Sequence, residues 1–137
     1  AGLLHDFDYE QYPSLDDHPF KGAEILRARG YDADLIEAIL SHAEHTGVPR
    51  TNLMRKTLFA VDELCGFVTA VTLVRPSKKI DEVEPSSVKK KLKDKAFARN
   101  VSRDDITKGA EILEIPLDAH IQNVITAMRG IAAELGL

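Results

Sequence analysis

The chain has 137 residues, of which 44% are hydrophobic and 29% charged, and a formal net charge of −4 with its histidines neutral. That length suits one compact domain with a real core, and the composition is that of a folded globular chain, neither disordered nor fibrous. The negative balance argues against a surface dedicated to nucleic acid, because neutralising several phosphates needs a cationic field. The single cysteine, Cys65, excludes an intramolecular disulfide and zinc-ribbon spacings. Its apolar neighbours predict a buried thiol in a reducing, cytoplasmic setting. No apolar run reaches the length of a bilayer span and no charged-then-apolar leader opens the chain, so no membrane partner is expected.

In chain order, the pattern is helical nearly throughout, which predicts an all-α fold. Residues 1–6 begin inside an apolar segment, Leu3-Leu4, without a methionine. They read as the end of a truncated helix that closes with His5-Asp6. Next, Pro19 suits a first helical turn, Asp17 is placed to cap it, Ile25 and Leu26 form its apolar stripe, and Gly30 ends it. Asp32 caps a following helix whose Leu35, Ile36, Ile39, Leu40 and Ala43 recur at helical spacing up to His45-Thr46-Gly47.

The longest helix starts near Thr51 or Asn52 and runs to Val74, before Pro76. Its apolar residues cover most of its circumference, which marks a helix central to the core. Ser86 or Ser87 then opens a basic helix, SSVKKKLKDKAF. Ser102 with Asp105 makes a capping box for ITKGAEIL, and LDAHIQNVITAMRGIAAELG closes the chain as an amphipathic helix ending at Gly136. Residues 75–86 are the one seam, so residues 1–137 read as a single domain whose helices up to 75 precede an extension over 76–137.

Ionisable residues now fall on four separate elements: His5 and Asp6 on the first, His18 at the start of the second, His42 and His45 near the end of the third, Asp62 inside the fourth. Imidazole and carboxylate are the usual ligands of zinc, iron and manganese, and helix bundles build metal sites from facing helices. Each histidine alone also has a plainer reading. His18 beside Asp16 and Asp17 suits a solvated helix start, and His45 suits a helix C-terminus. Asp62 is different, because FAVDEL sets a carboxylate on an apolar helix, where it needs a cation, Arg55 or Arg75 as partner. Asp8, Tyr9, Glu10 and Tyr12 follow the doublet in a loop that either shapes a pocket or closes the turn before Pro13.

The run LLHD, then HPFKGAEIL, AILSH and FAVDELCG, resembles the HD-domain metal-dependent phosphohydrolase superfamily over residues 3–66. The stretch SSVKKKLKDKAFARNVSRDDI resembles a region of uncharacterised bacterial HD-domain hydrolases. The resemblance implies an HD-domain-like helical bundle with its first helix truncated. It also implies an enzyme that cleaves a nucleotide or another small phosphoester with a hydroxide activated by one or two divalent metal ions. It makes His5, Asp6 and Asp62 ligands of one ion, together with a histidine on an earlier helix outside these residues. His18 and His42 match the extra histidines with which a subset of the superfamily holds a second ion, Asp6 bridging the two. Zinc, iron, manganese and magnesium all suit such a set.

Substrate phosphate then needs cations. Lys21 lies three residues beyond His18, and Lys93, Lys95 and Arg99 come from the later basic segment. Consecutive lysines in that segment must fan around a helix, which favours a solvated face over a docked one. No aromatic platform accompanies it, which argues against RNA. The alternative to an enzyme is a catalytically incomplete HD-fold module that binds a ligand or partner without turnover.

Overall fold

A computed structural model describes residues 1–137. It is all-α, with seven helices and no strand: α1 (Phe20–Ala28), α2 (Ala33–His42), α3 (Leu53–Leu73), α4 (Pro85–Leu92), α5 (Arg103–Ile112), α6 (Leu117–Arg129) and α7 (Ala132–Leu135). No helix is long and apolar enough to cross a membrane. The chain divides into two compact units, Ala1–Phe59 and Ala60–Leu137, so the boundary falls inside α3.

In the first unit α1 and α2 form a hairpin. Gly30, at φ 75°, ends α1, while the Tyr31 N–H returns to the Leu26 carbonyl at 3.1 Å. The Asp32 side chain then accepts from the N–H groups of Asp34 and Leu35 to start α2. With so short a connection the helices run antiparallel and bury Ala23, Leu26, Ile36, Ile39 and Leu40 between them. The expected helix over residues 1–6 is replaced by successive turns. The Leu4 N–H bonds to the Ala1 carbonyl at 2.9 Å and that of Tyr9 to Asp6 at 3.0 Å, so these bonds close locally instead of propagating a helix.

Three further helix ends differ from the sequence expectation, each for a visible reason. α2 stops at His42, short of His45-Thr46-Gly47, because Thr46 Oγ1 donates to the Leu40 carbonyl at 2.8 Å and Arg50 Nε to that of Ser41 at 2.8 Å, which satisfies the last turn early. The basic helix begins at Pro85 and ends at Leu92. Beyond it Asp94 Oδ1 accepts from Ala96 and Phe97 N–H at 3.1 and 3.3 Å, a local turn that competes with the helix. The final helix is broken at Gly130, after which the short α7 follows.

The second unit has the larger apolar core: Leu64, Phe67, Val68 and Val71 of α3 with Ile80, Val83, Val88, Ile106, Ile121 and Ile125. Residues 75–86, the seam of the sequence reading, lie inside this unit. Ile80 and Val83 are fully buried, and Arg129 Nη2 donates to the Asp81 and Val83 carbonyls at 3.0 and 2.8 Å. His120, which the sequence reading did not single out, is buried on α6 and donates from Nε2 to the Ala60 carbonyl at 2.8 Å.

Gly109 of α5 lies so close to α3 that a Cβ there would stand 2.7 Å from Ala60 Cα. Gly109→Ala gains about 1 kcal/mol of helix propensity, but crowding against backbone costs about 1–3 kcal/mol. We expect a net loss of stability, seen as a lower urea midpoint; an unchanged or higher midpoint contradicts the close approach. Cys65 is half-buried. Burial, with Asp62 nearby, pushes its thiol from 9.0 up to about 11. That shift supports folding below pH 9.0 and the support is lost as pH rises towards 11. Near neutral pH the native thiolate population is about 100-fold below that of the unfolded chain, so a thiol reagent should label native protein correspondingly more slowly than urea-unfolded protein.

Candidate metal centre

The α1–α2 hairpin explains why two histidines 24 positions apart in sequence meet. His18 stands two residues before α1, and His42 is the last residue of α2. In an antiparallel pair those two ends lie side by side. The turns over residues 2–11 bring His5 and Asp6 to the same place.

Asp6 Oδ1 lies 3.3 Å from His18 Nε2 and 3.5 Å from His42 Nε2, and the two Nε2 atoms are 3.3 Å apart. His5 approaches from the other carboxylate oxygen, with Nε2 3.2 Å from Asp6 Oδ2. The outer nitrogen of each ring is engaged by oxygen. His42 Nδ1 faces the Ile39 carbonyl at 2.5 Å, His5 Nδ1 the Gly2 carbonyl at 2.8 Å, and His18 Nδ1 Asp8 Oδ1 at 2.9 Å. A carbonyl or carboxylate oxygen only accepts, so each Nδ1 carries the proton and a neutral ring presents a lone pair at Nε2. His18 and His42 therefore aim two lone pairs at each other beside a carboxylate oxygen, and that contact is repulsive until a cation or proton stands among them. When those rings also carry a proton on Nε2, hydrogen bonds from His42 and then His5 hold the Asp6 carboxyl well below the usual carboxylate range.

The donor set fits a small divalent ion. Its three sides, 3.3, 3.3 and 3.5 Å, place the centre of the triangle about 1.9 Å from each corner. Zinc binds nitrogen and oxygen at about 2.0–2.1 Å, and tetrahedral geometry at that radius separates donors by about 3.3–3.4 Å. Two imidazoles and one carboxylate are a donor set that both zinc and non-haem iron accept.

Asp8 is the residue that sequence reasoning underrated. It is 3% exposed, and while Oδ1 meets His18, Oδ2 accepts from the Gly22 N–H at 2.7 Å. Gly22 is the third residue of α1, so Asp8 caps that helix from a distance. The cap expected from Asp17 is not made; the Asp17 side chain accepts instead from Ser14 Oγ at 2.8 Å. His45 lies outside the cluster, its Nε2 donating to the His18 carbonyl at 2.9 Å, which makes it a strap on the His18 backbone.

Lys21 pairs with Glu24 Oε2 at 3.1 Å, one turn along α1. Asp62 is half-buried on α3, in the second unit. Lys93, Lys95 and Arg99 are exposed on the second unit, after α4. Of the two arginines considered as partners of Asp62, Arg55 is buried, forms an ion pair with Glu37 and donates to the Pro49 carbonyl. Arg75 Nε sits 3.7 Å from Glu82 Oε2.

No protein-family profile, curated protein or solved structure matches the chain.

A Cβ at Gly22 would stand 2.8 Å from both Cγ and Oδ2 of Asp8, a side chain that is buried and hydrogen-bonded at both oxygens. Gly22→Ala should therefore lower the stability by about 1–3 kcal/mol through overpacking. A denaturant midpoint at or above that of wild type contradicts the packing of Asp8 against α1.

Proposed function

We propose that the chain is an HD-domain-like, metal-dependent phosphohydrolase acting on a nucleotide or another small phosphoester. The observation that carries this reading is the convergence of Asp6 Oδ1, His18 Nε2 and His42 Nε2 at 3.3–3.5 Å, with both imidazole protons committed elsewhere. A divalent ion bound there supplies a bound water of near-neutral pKa and withdraws charge from a phosphoryl oxygen. Only one of the three donors is anionic, so the residues leave the ion much of its positive charge. Asp6 offers a second oxygen, Oδ2, towards His5, which suits a bridging role. The family pattern, not the geometry of the first unit, adds Asp62 as a ligand with His5.

For the phosphate itself Lys21 is the first-unit candidate, and its exposed pairing with Glu24 leaves it able to exchange partners. The exposure of Lys93, Lys95 and Arg99 favours their reading as a solvated face.

The test is elemental analysis of the purified protein after equilibration with zinc, manganese or iron, alongside hydrolysis of nucleotides and simple phosphoesters. Bound divalent metal and metal-dependent phosphate release are expected. Asp6→Asn and His42→Ala should each weaken metal binding by more than the roughly 10–100-fold that losing an outer partner of a ligand costs, and should abolish turnover. Asp62→Ala should lower metal content and turnover without unfolding the chain. Metal uptake with no turnover on any phosphoester favours the binding module; no metal uptake overturns the proposal.

A further inference from the structure

We infer that Asp8 is a positioning residue: braced by the Gly22 N–H, it locks His18 in the tautomer that turns its Nε2 lone pair towards Asp6 and His42. The lock itself rests on hydrogen-bond geometry, and its consequence for metal rests on the reading above.

The argument begins with the two oxygens of Asp8. Oδ2 is fixed by the backbone N–H of Gly22 at 2.7 Å, and that N–H is held in place because it belongs to the first turn of α1. Oδ1 is thereby aimed at His18 Nδ1, 2.9 Å away. The absence of a side chain at Gly22 allows this approach, since a Cβ would occupy the space of the carboxylate. The Tyr9 ring packs edge-on against the His18 ring, centroids 5.2 Å apart. An ionised carboxylate has no proton to give, so the hydrogen in the Asp8–His18 contact belongs to Nδ1. A carboxylate partner also makes the imidazole a stronger donor, the outer-partner arrangement found behind many metal-bound histidines. His42 has only the carbonyl of its own helix in that place, so His18 is the better donor of the two.

Asp8→Asn separates this role from mere packing, because it keeps the shape and changes which atoms can donate. The asparagine carbonyl oxygen can serve only one of the two sites. If it faces His18, the amide NH2 meets the Gly22 N–H, donor against donor, deep in the protein. If it faces Gly22, the amide donates to His18 Nδ1, and the imidazole must carry its proton on Nε2. The helix cannot shift its N–H, whereas a neutral imidazole changes tautomer readily, so the second arrangement is expected. His18 then points a proton at the place where its lone pair is needed.

The direct measurement is the 15N spectrum of the His18 ring in metal-free protein at about pH 8.5, above the usual histidine range. Wild type should show the Nδ1–H tautomer and Asp8→Asn the Nε2–H tautomer. Titration with zinc alone should then show Asp8→Asn binding about 10–100-fold more weakly than wild type. A purely structural role would move the thermal midpoint and leave the tautomer as it is. An Nε2–H tautomer in wild type overturns the inference without needing the variant to fold. So does an Asp8→Asn protein that keeps the Nδ1–H form and wild-type zinc affinity. Wild type that shows the Nδ1–H tautomer and binds no zinc upholds the lock and overturns the metal reading instead.

Discussion

Two imidazole nitrogens and one carboxylate oxygen, held 3.3–3.5 Å apart, are the constraint around which the first unit is organised. With both rings neutral and protonated on Nδ1 such atoms repel one another, and the chain holds them together because each is tied from behind. The Ile39 carbonyl fixes His42, Asp8 fixes His18, and the turns of residues 2–11 carry Asp6. Apolar packing supplies the frame, since Ala23, Leu26, Ile36 and Ile39 join α1 to α2 and thereby set His18 against His42. A hairpin that did not bury those residues would have no reason to bring the two rings into contact.

Asp8 links folding to this arrangement in a second way. The first N–H groups of a helix need acceptors and the positive end of its dipole favours an anion. Pro19, at the cap position of α1, provides no side-chain acceptor, and Asp8 meets both needs from ten residues before His18. The same carboxylate therefore stabilises the helix and offsets its positive end beside the His18 ring. Separating those two contributions requires a substitution that keeps one hydrogen bond while inverting the other.

The parts of this design that were legible in the sequence are local. Asp32 caps α2 within three residues, Gly30 ends α1 by its own backbone freedom, and Ser102 meets the Asp105 N–H at 3.1 Å. The residue types of His18, His42 and Asp6 single them out before any geometry is known, and the hairpin brings the three together. The parts that were not legible depend on partners distant in sequence. Nothing in HDFDYE distinguishes Asp8 from a loop acid until Gly22 and His18 are placed beside it. The doublet's position after two leucines suggests a helix end, yet short turn bonds claim those backbone groups. The end of α4 was obscured for a related reason. KKKLKDKAF has helical propensity throughout, but the Arg103 guanidinium donates to the carbonyls of Ala98 and Val101 at 2.6 and 2.7 Å and holds the following segment in turns.

His42 is held in place by what satisfies the end of its helix. The last carbonyls of α2 form the negative end of its dipole, which favours a cation nearby, but left unsatisfied they would also fray the turn that carries the ring. Arg50 resolves this, with Nε donating to the Ser41 carbonyl at 2.8 Å, Nη2 to that of His42 at 3.4 Å, and its guanidinium lying 3.6 Å over the Phe59 ring. Its charge is engaged by carbonyls, by Glu44 and by the aromatic face. The helix end stays rigid, His42 keeps its orientation, and the anions around the three donors, Asp6 and Asp8, still leave the cluster favourable to a positive ion.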